Sequence, residues 1–143
     1  MELTFLSLSK NESFARSTVA SFVAQIDPTL DELTEIKTVV SEAVTNAIIH
    51  GYEEKENEEI TIQCKISNNA EVEITIIDHG VGIENIDMAK EPLYTSKPQL
   101  ERSGMGFSIM ESFMDKLTIH STVGVGTTVT MKKQFHKVKT TCH

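Results

Sequence analysis

An acid and an amide lie four residues apart within residues 40–51, where both could act on one bound ligand. Glu42 and Asn46 are predicted to share a helix flank, since residues four apart are neighbours on a helical surface. The Glu42 carboxylate could accept a proton from an attacking hydroxyl group. The Asn46 side-chain oxygen suits Mg²⁺, which binds oxygen ligands and retains several waters. Alone, Glu42 is also compatible with a solvated helix residue, but its pairing with Asn46 favours the chemical interpretation.

Three glycine-bearing segments follow this helix, and the first of them carries an acid. Asp78 is predicted to end a strand and is followed closely by Gly80 and Gly82. A carboxylate at this point could accept a hydrogen bond from the exocyclic amine of adenine, while the glycines let a flat ring approach the backbone. An ordinary acidic turn after a strand is the alternative.

The second glycine-bearing segment opens a predicted helix with Ser103, Gly104, Met105 and Gly106. Free backbone amides and the helix dipole favour a phosphate group at such a position. A flexible junction between loop and helix is equally compatible with these residues.

The third segment covers residues 124–128. Its residues 124–126 are predicted to be the turn between the last two strands, and Thr127 and Thr128 are predicted to open the last strand. The sequence contains neither a P-loop nor the H-R-D and D-F-G segments of ordinary protein kinases. One polar helix flank and three glycine-rich turns, in this order, indicate a nucleotide site of another kind.

Size and charge narrow the function classes. The 143 residues are expected to form one domain, 1–143, and the net charge of −8 opposes binding to nucleic-acid backbones, so a protein partner is expected. The first residues lack the apolar run of a signal peptide, and no stretch approaches the ~20 apolar residues of a membrane span. A cytoplasmic location is therefore expected. Cys64 and Cys142 do not suggest a disulfide framework or a metal site.

Alternation and helical spacing predict five strands and three helices. The strands are predicted near residues 2–8, 60–66, 72–76, 117–121 and 127–135, and the helices near 9–26, 29–50 and 104–117. The predicted architecture is an α/β (α+β) two-layer sandwich, in which the helices cover one face of a mixed, mostly antiparallel sheet. Residues 83–102 are predicted to be a long loop, either a functional lid or disordered.

Local signals predict how the first two helices begin and end. Capping boxes are predicted at Ser9 with Glu12 and at Thr29 with Glu32. The first helix is predicted to bury an apolar face made of Phe14, Val19, Phe22, Val23 and Ile26. Gly51 is predicted to close the second helix as its C′ residue.

In this order the segments resemble the four motif boxes of the GHKL ATP-binding superfamily, which includes histidine kinases, gyrase-type ATPases and Hsp90-like chaperones. The resemblance covers essentially the whole chain and implies the Bergerat-type ATP-binding fold. Residues 11–16, 40–51 and 101–107 are similar to the single-domain anti-sigma kinases of spore-forming Bacillus-type bacteria.

This resemblance implies a serine protein kinase that uses ATP and Mg²⁺ and acts as a homodimer. Such a protein sequesters a sporulation sigma factor and phosphorylates a serine of an anti-anti-sigma factor. The resemblance implies that Glu42 is the catalytic base, that Asn46 binds Mg²⁺ and that Arg16 contacts the protein partners. It implies an adenine site made of Asp78, Gly80, Gly82 and Thr127 or Thr128. It also implies a phosphate site made of Ser103, Gly104, Met105 and Gly106, with Arg102 at the γ-phosphate.

Two alternatives remain open at this point. One is a paralogous kinase that controls a stress-response sigma factor. The other is a module that binds nucleotide as a structural ligand and sequesters its partner without chemistry, although an intact pair of Glu42 and Asn46 argues against it.

Overall fold

Within the part of the chain that the structure describes, five strands form a single sheet and every neighbouring pair runs antiparallel. The computed structural model describes residues 1–90 and 106–135. The strands are β1 (Glu2–Leu6), β2 (Glu59–Ile66), β3 (Glu71–Asp78), β4 (Lys116–Thr122) and β5 (Gly126–Gln134), in the sheet order β1-β2-β3-β5-β4. The predicted five-stranded α+β sandwich is confirmed. The parallel pair that a mixed sheet would require does not occur among the described strands.

In residues 1–90 and 106–135, four α-helices accompany the sheet: α1 (Lys10–Val23), α2 (Leu30–Asn46), the short α3 (Ile86–Ala89) and α4 (Gly106–Phe113). Helix α2 is central, since it packs against both α1 and α4. Side chains of β2 and β3 are buried at alternate positions and share one apolar cluster with residues of α1, α2 and α4. The helices therefore cover one face of the sheet. Among the described residues, no helix has the length and apolar character needed to cross a membrane.

The start of α2 follows the sequence prediction, whereas the start of α1 does not. The Glu32 amide donates to Thr29 Oγ1 at 3.1 Å, and the Thr29 amide donates to Glu32 Oε1 at 2.9 Å, which completes a capping box. Ser9 has helical backbone angles and makes no side-chain cap. Glu12 instead accepts a 2.7 Å hydrogen bond from Ser41 of α2, so the predicted first capping box is wrong.

The buried face of α1 agrees with the prediction at Val19 and Val23, whereas the prediction for Phe14 is wrong. Phe14 is 54% exposed, whereas Ala15, Val19 and Val23 are fully buried. These three residues are spaced four apart and form one stripe, and the small Ala15 is accommodated where α1 lies against α2.

The hairpin between β2 and β3, the second and third predicted strands, forms across residues 67–70. The Ala70 amide donates to the Ser67 carbonyl at 3.0 Å, and Ala70 has a positive φ of 63°. The sheet register then sets Asp78 beside Ile60 on one side and beside Thr127 on the other. The predicted position of Asp78 at the end of a strand is confirmed.

Candidate functional site

A cavity of about 500 Å³ opens between the end of α2, the ends of β3 and β5, and the segment around α3. A concave, largely apolar cavity with a few polar groups is the usual form of a small-molecule site. Four of the residues predicted from the sequence contribute to its wall: Asn46, Asp78, Gly82 and Thr127. The remaining lining includes Ala43, Gly51, Ile76, Met88, Phe107 and Val129.

Asp78 supplies a buried carboxylate to this cavity and is only 7% exposed. The Gly80 amide donates to Asp78 Oδ1 at 2.9 Å. Burial raises the pKa of Asp78, while hydrogen bonds from the Gly80 and Thr127 amides counteract part of that rise. A carboxylate in this setting can accept a hydrogen bond from an amine of a flat ligand in the cavity.

The end of α2 differs from the prediction at Gly51. The helix widens into one π-helical turn, Ala47–Gly51, and the Tyr52 amide donates to the Ala47 carbonyl at 2.8 Å. Gly51 therefore lies inside this turn, and the predicted C′ role is wrong. A Cβ atom at Gly51 would lie 2.9 Å from Asp78 Oδ1, so the glycine is required by the carboxylate beside it and not by a left-handed helix end. Single-turn π-helices are frequent at functional sites.

Two further glycines allow three backbone segments to meet behind the cavity. A Cβ atom at Gly80 would lie 2.0 Å from the Gly51 carbonyl oxygen, and one at Gly126 would lie 2.2 Å from the Asp78 carbonyl oxygen. The Val81 amide donates to the Gly51 carbonyl at 2.9 Å, and the Gly124 amide donates to the Val81 carbonyl at 2.8 Å. Backbone hydrogen bonds thus connect the first glycine segment to the third one and to the turn that ends α2.

The two candidate threonines lie on opposite faces of β5. Thr127 is paired with Asp78 and lines the cavity, and its hydroxyl lies 2.8 Å from Ser121 Oγ. Thr128 is the next residue along the strand, and successive side chains in a strand point to opposite faces. The structure therefore places Thr127, and not Thr128, at the cavity.

Glu42 and Asn46 meet at the first residue of α4. A Cβ atom at Gly106 would lie 2.8 Å from Asn46 Nδ2 and 3.3 Å from Glu42 Oε2. Any side chain at this position would press on both polar groups. Glu42 and Asn46 share one flank of α2, as their spacing predicts, and the structure adds the N-terminus of α4 beside them.

Glu42 also lines a second cavity, of about 400 Å³, between α1 and α2. Its other lining residues are Arg16, Ser17, Thr34, Lys37, Thr38 and Ser41. Arg16 is held near Glu12, with 3.7 Å between Arg16 Nε and Glu12 Oε2. The predicted partner-binding residue and the predicted base thus border the same polar cavity. Lys37 adds a second cation that sequence reasoning did not single out.

Arg102, Ser103, Gly104 and Met105 lie outside the residues that the structure describes. Within residues 1–90 and 106–135, no group of three or more His, Cys, Asp or Glu side chains could hold a metal ion. A magnesium ion held by Asn46 and ligand phosphates would not need such a group.

Comparison with known proteins shows which family this chain belongs to. Residues 7–133 match the model of the histidine kinase-like ATPase domain. The anti-sigma F factor of Anoxybacillus flavithermus is 62% identical over 143 residues, covering 100% of this chain and 97% of that protein. The Oceanobacillus iheyensis anti-sigma F factor is 61% identical over 140 residues, covering 98% of this chain and 95% of that protein.

The chain belongs to the anti-sigma F factor family. It carries an ATP-binding domain of the kinase type, in agreement with the superfamily resemblance seen in the sequence. A further family member, from Priestia megaterium, is 59% identical over 143 residues. The similarity to these relatives thus extends along the whole of the present chain and includes its four motif segments.

Solved structures of more distant proteins share the fold. A Mycobacterium tuberculosis protein with RsbU and RsbW domains superposes with a TM-score of 0.67 at 18% identity, covering 94% of this chain and 32% of that one. The mycobacterial sensor histidine kinase MprB superposes with a TM-score of 0.59 at 12% identity, covering 96% of this chain and 100% of that one. At these identities the likeness establishes the architecture alone.

Proposed function

We propose that this protein is an anti-sigma factor and a serine protein kinase. It sequesters a sporulation sigma factor and uses Mg²⁺ and ATP to phosphorylate a serine of an anti-anti-sigma factor. One observation carries the proposal: Glu42 and Asn46 meet at Gly106, beside a cavity walled by a buried carboxylate. The family name of the full-length relatives supports the sigma-factor partner.

The residues of the larger cavity fit a nucleotide. Its volume of about 500 Å³ lies in the usual range of small-molecule sites. Asp78, with Thr127 beside it, would accept a hydrogen bond from the exocyclic amine of the adenine. Asn46 would bind Mg²⁺, and the Gly106 amide would face the phosphates at the N-terminus of α4. Arg102, Ser103, Gly104 and Met105 would complete the phosphate site as the sequence predicts.

The position of Glu42 at the second cavity, next to Asn46 and the first residue of α4, suits a general base. Phosphoryl transfer depends mainly on positioning and on neutralisation of charge, and bound ATP with Mg²⁺ supplies the phosphoryl group and part of that neutralisation. Glu42 would accept the proton of the serine hydroxyl as the hydroxyl oxygen forms its bond to phosphorus and ADP departs. The substrate serine would approach from the second cavity, which Glu42 shares with Arg16.

Arg16 would contact the protein partners from the rim of this second cavity. A guanidinium can bind a carboxylate through two parallel hydrogen bonds, so an acidic segment of the partner is the expected counterpart. The proposal includes a homodimer, which light scattering of the purified protein would measure. Recovery of a stress-response sigma factor in place of the sporulation factor would assign the protein to the paralogous system.

The first test is phosphorylation of the anti-anti-sigma factor, measured by intact mass after incubation with ATP and Mg²⁺. The antagonist should gain one phosphate. Glu42→Gln should reduce the transfer rate by about 10²–10⁴-fold, the usual contribution of a positioned base. ATP affinity should stay within about twofold, because the amide keeps the size of the carboxyl group.

Glu56→Gln is the matched control, since Glu56 is an exposed residue of the turn before β2. Its rate should equal that of the unaltered protein. Transfer that survives in Glu42→Gln at full rate would disprove the base assignment. Binding of ATP without any gain of mass in the antagonist would favour the non-catalytic sequestering module.

A further inference from the structure

Tyr52 links the end of α2 to the start of the first glycine segment. Its side chain is 4% exposed. The His79 amide donates a hydrogen bond to Tyr52 Oη at 2.7 Å, and the Tyr52 hydroxyl donates to the Glu59 carbonyl at 2.5 Å. Burial raises the pKa of Tyr52, so the hydroxyl keeps the proton that it donates.

The hydroxyl acts at the residue that directly follows Asp78. On the other side of the same carboxylate, Gly51 leaves only enough space for a hydrogen atom, because a Cβ atom there would lie 2.9 Å from Asp78 Oδ1. The Gly51 carbonyl also accepts the Val81 amide at 2.9 Å. Residues 78–81 are thus held in place by the Gly51 carbonyl, by the Tyr52 hydroxyl and by the close approach of Gly51 to Asp78.

We infer that Tyr52 is a positioning residue that sets the base specificity of the nucleotide site. The inference rests on the proposed function, in which the Asp78 carboxylate accepts the exocyclic amine of adenine. Without the Tyr52 hydroxyl, the His79 amide loses its partner and the backbone of Asp78 is released on that side. Hydrogen bonds weaken steeply when their geometry is lost, so the acceptor then discriminates less between an amine and a carbonyl on the base.

Two ligands that differ at the same edge of the base provide the test. Mg-ADP carries the exocyclic amine beside an unprotonated ring nitrogen, whereas Mg-IDP carries a carbonyl oxygen in place of the amine and a proton on that nitrogen. Calorimetric dissociation constants for both are measured on the unaltered protein and on Tyr52→Phe, which removes a single oxygen atom. The unaltered protein should prefer ADP, and in Tyr52→Phe this preference should fall about tenfold, the usual effect of one well-placed hydrogen bond.

Ser7→Ala provides the matched control. The Ser7 hydroxyl is buried and also bridges chain segments, because it donates to the Lys55 carbonyl and accepts the Glu58 amide at 3.3 Å. Its removal should lower the melting temperature and leave the preference for ADP over IDP unchanged. A purely structural role for Tyr52 would produce the same pattern in Tyr52→Phe and would overturn the inference.

Gly51→Ala tests the same turn from its other side. The added methyl group should displace the Asp78 carboxylate and reduce the preference for ADP at least as much as Tyr52→Phe does. A full preference for ADP in both variants would also overturn the inference. Equal binding of ADP and IDP by the unaltered protein would instead refute base recognition by Asp78, and the inference would fall with it. The inference is established if Tyr52→Phe loses its preference for ADP over IDP while Ser7→Ala keeps it.

Discussion

The Asp78 carboxylate is 7% exposed, and its pKa is raised because burial disfavours the charged form. Between the ordinary pKa of an aspartate, 3.8, and this raised value, the native protein binds more protons at Asp78 than the unfolded chain does. The free energy of unfolding therefore decreases as pH rises through that window. Asp78 is expected to reduce the stability of the ligand-free protein at neutral pH, which is common for residues that serve a site.

Asp78→Asn is predicted to stabilise the ligand-free protein at pH 7 by on the order of 1 kcal/mol, and to abolish binding of ADP. The amide oxygen can still accept the Gly80 amide, while the burial of a charge is removed. Thermal unfolding from pH 4 to 8 would measure this, with the exposed Asp87→Asn as control. The predicted gain should shrink as pH falls through the raised pKa of Asp78. A gain independent of pH would show that burial of the charge is not its cause.

Residues of the site could be predicted from the sequence where their chemistry depends on local spacing. Glu42 and Asn46 are one helical turn apart, and Asp78 is the last residue of an alternating strand. Tyr52 could not be found in this way, because its amide partner, His79, is 27 residues away. The choice between Thr127 and Thr128 likewise required the register of β5 against β3.

At the level of secondary structure, the β2–β3 turn contains an alanine where a glycine would be favoured. Ala70 has φ 63°, a left-handed conformation that costs L-residues about 1–2 kcal/mol. The backbone bonds of this turn keep Ala70 in that conformation, since its amide donates to Ser67 and its carbonyl accepts the Phe135 amide, both at 3.0 Å.

Ala70→Gly is predicted to raise the free energy of unfolding by about 1 kcal/mol and the melting temperature by about 3–5 °C. Glycine adopts the left-handed conformation freely, which outweighs its greater freedom in the unfolded chain. Ala24→Gly is the control, because Ala24 is exposed and has a right-handed φ of −57°. That variant should lose about 0.5–1 kcal/mol. Destabilisation by both variants would mean that strain at Ala70 is absent.

The helix starts show why similar local patterns can have different outcomes. Thr29 with Glu32 and Ser9 with Glu12 have the same spacing, and only the first forms a capping box. Glu12 is taken by Ser41 of the neighbouring helix, a tertiary contact across 29 residues. Similarly, Phe14 satisfies the helical spacing of an inward residue, yet the packing of α1 against α2 buries Ala15.

At the scale of the whole molecule, α2 connects the apolar core with both cavities. Its residues Val40 and Val44 are fully buried, while Asn46 lines the larger cavity and Glu42 lines the second one. Loss of the packing between α2 and the sheet would therefore disrupt the nucleotide site as well. A ligand bound there should in turn stabilise the entire core, because ligands that bind only the native state favour it by mass action.

Cys64 offers a probe of this coupling, since it is fully buried in β2 and burial raises the pKa of its thiol to about 11. The native thiol should resist maleimide at pH 8, because the thiolate is the reactive form. In Cys142→Ser, which leaves Cys64 as the single cysteine of the chain, labelling should require opening of the core. Mg-ADP at ~100 times its Kd should slow labelling about 100-fold, equivalent to about 2.7 kcal/mol. A labelling rate unchanged by Mg-ADP would mean that Cys64 becomes accessible through an opening that leaves the nucleotide site intact. In that case α2 would not couple the core around Cys64 to the nucleotide site as one cooperative unit.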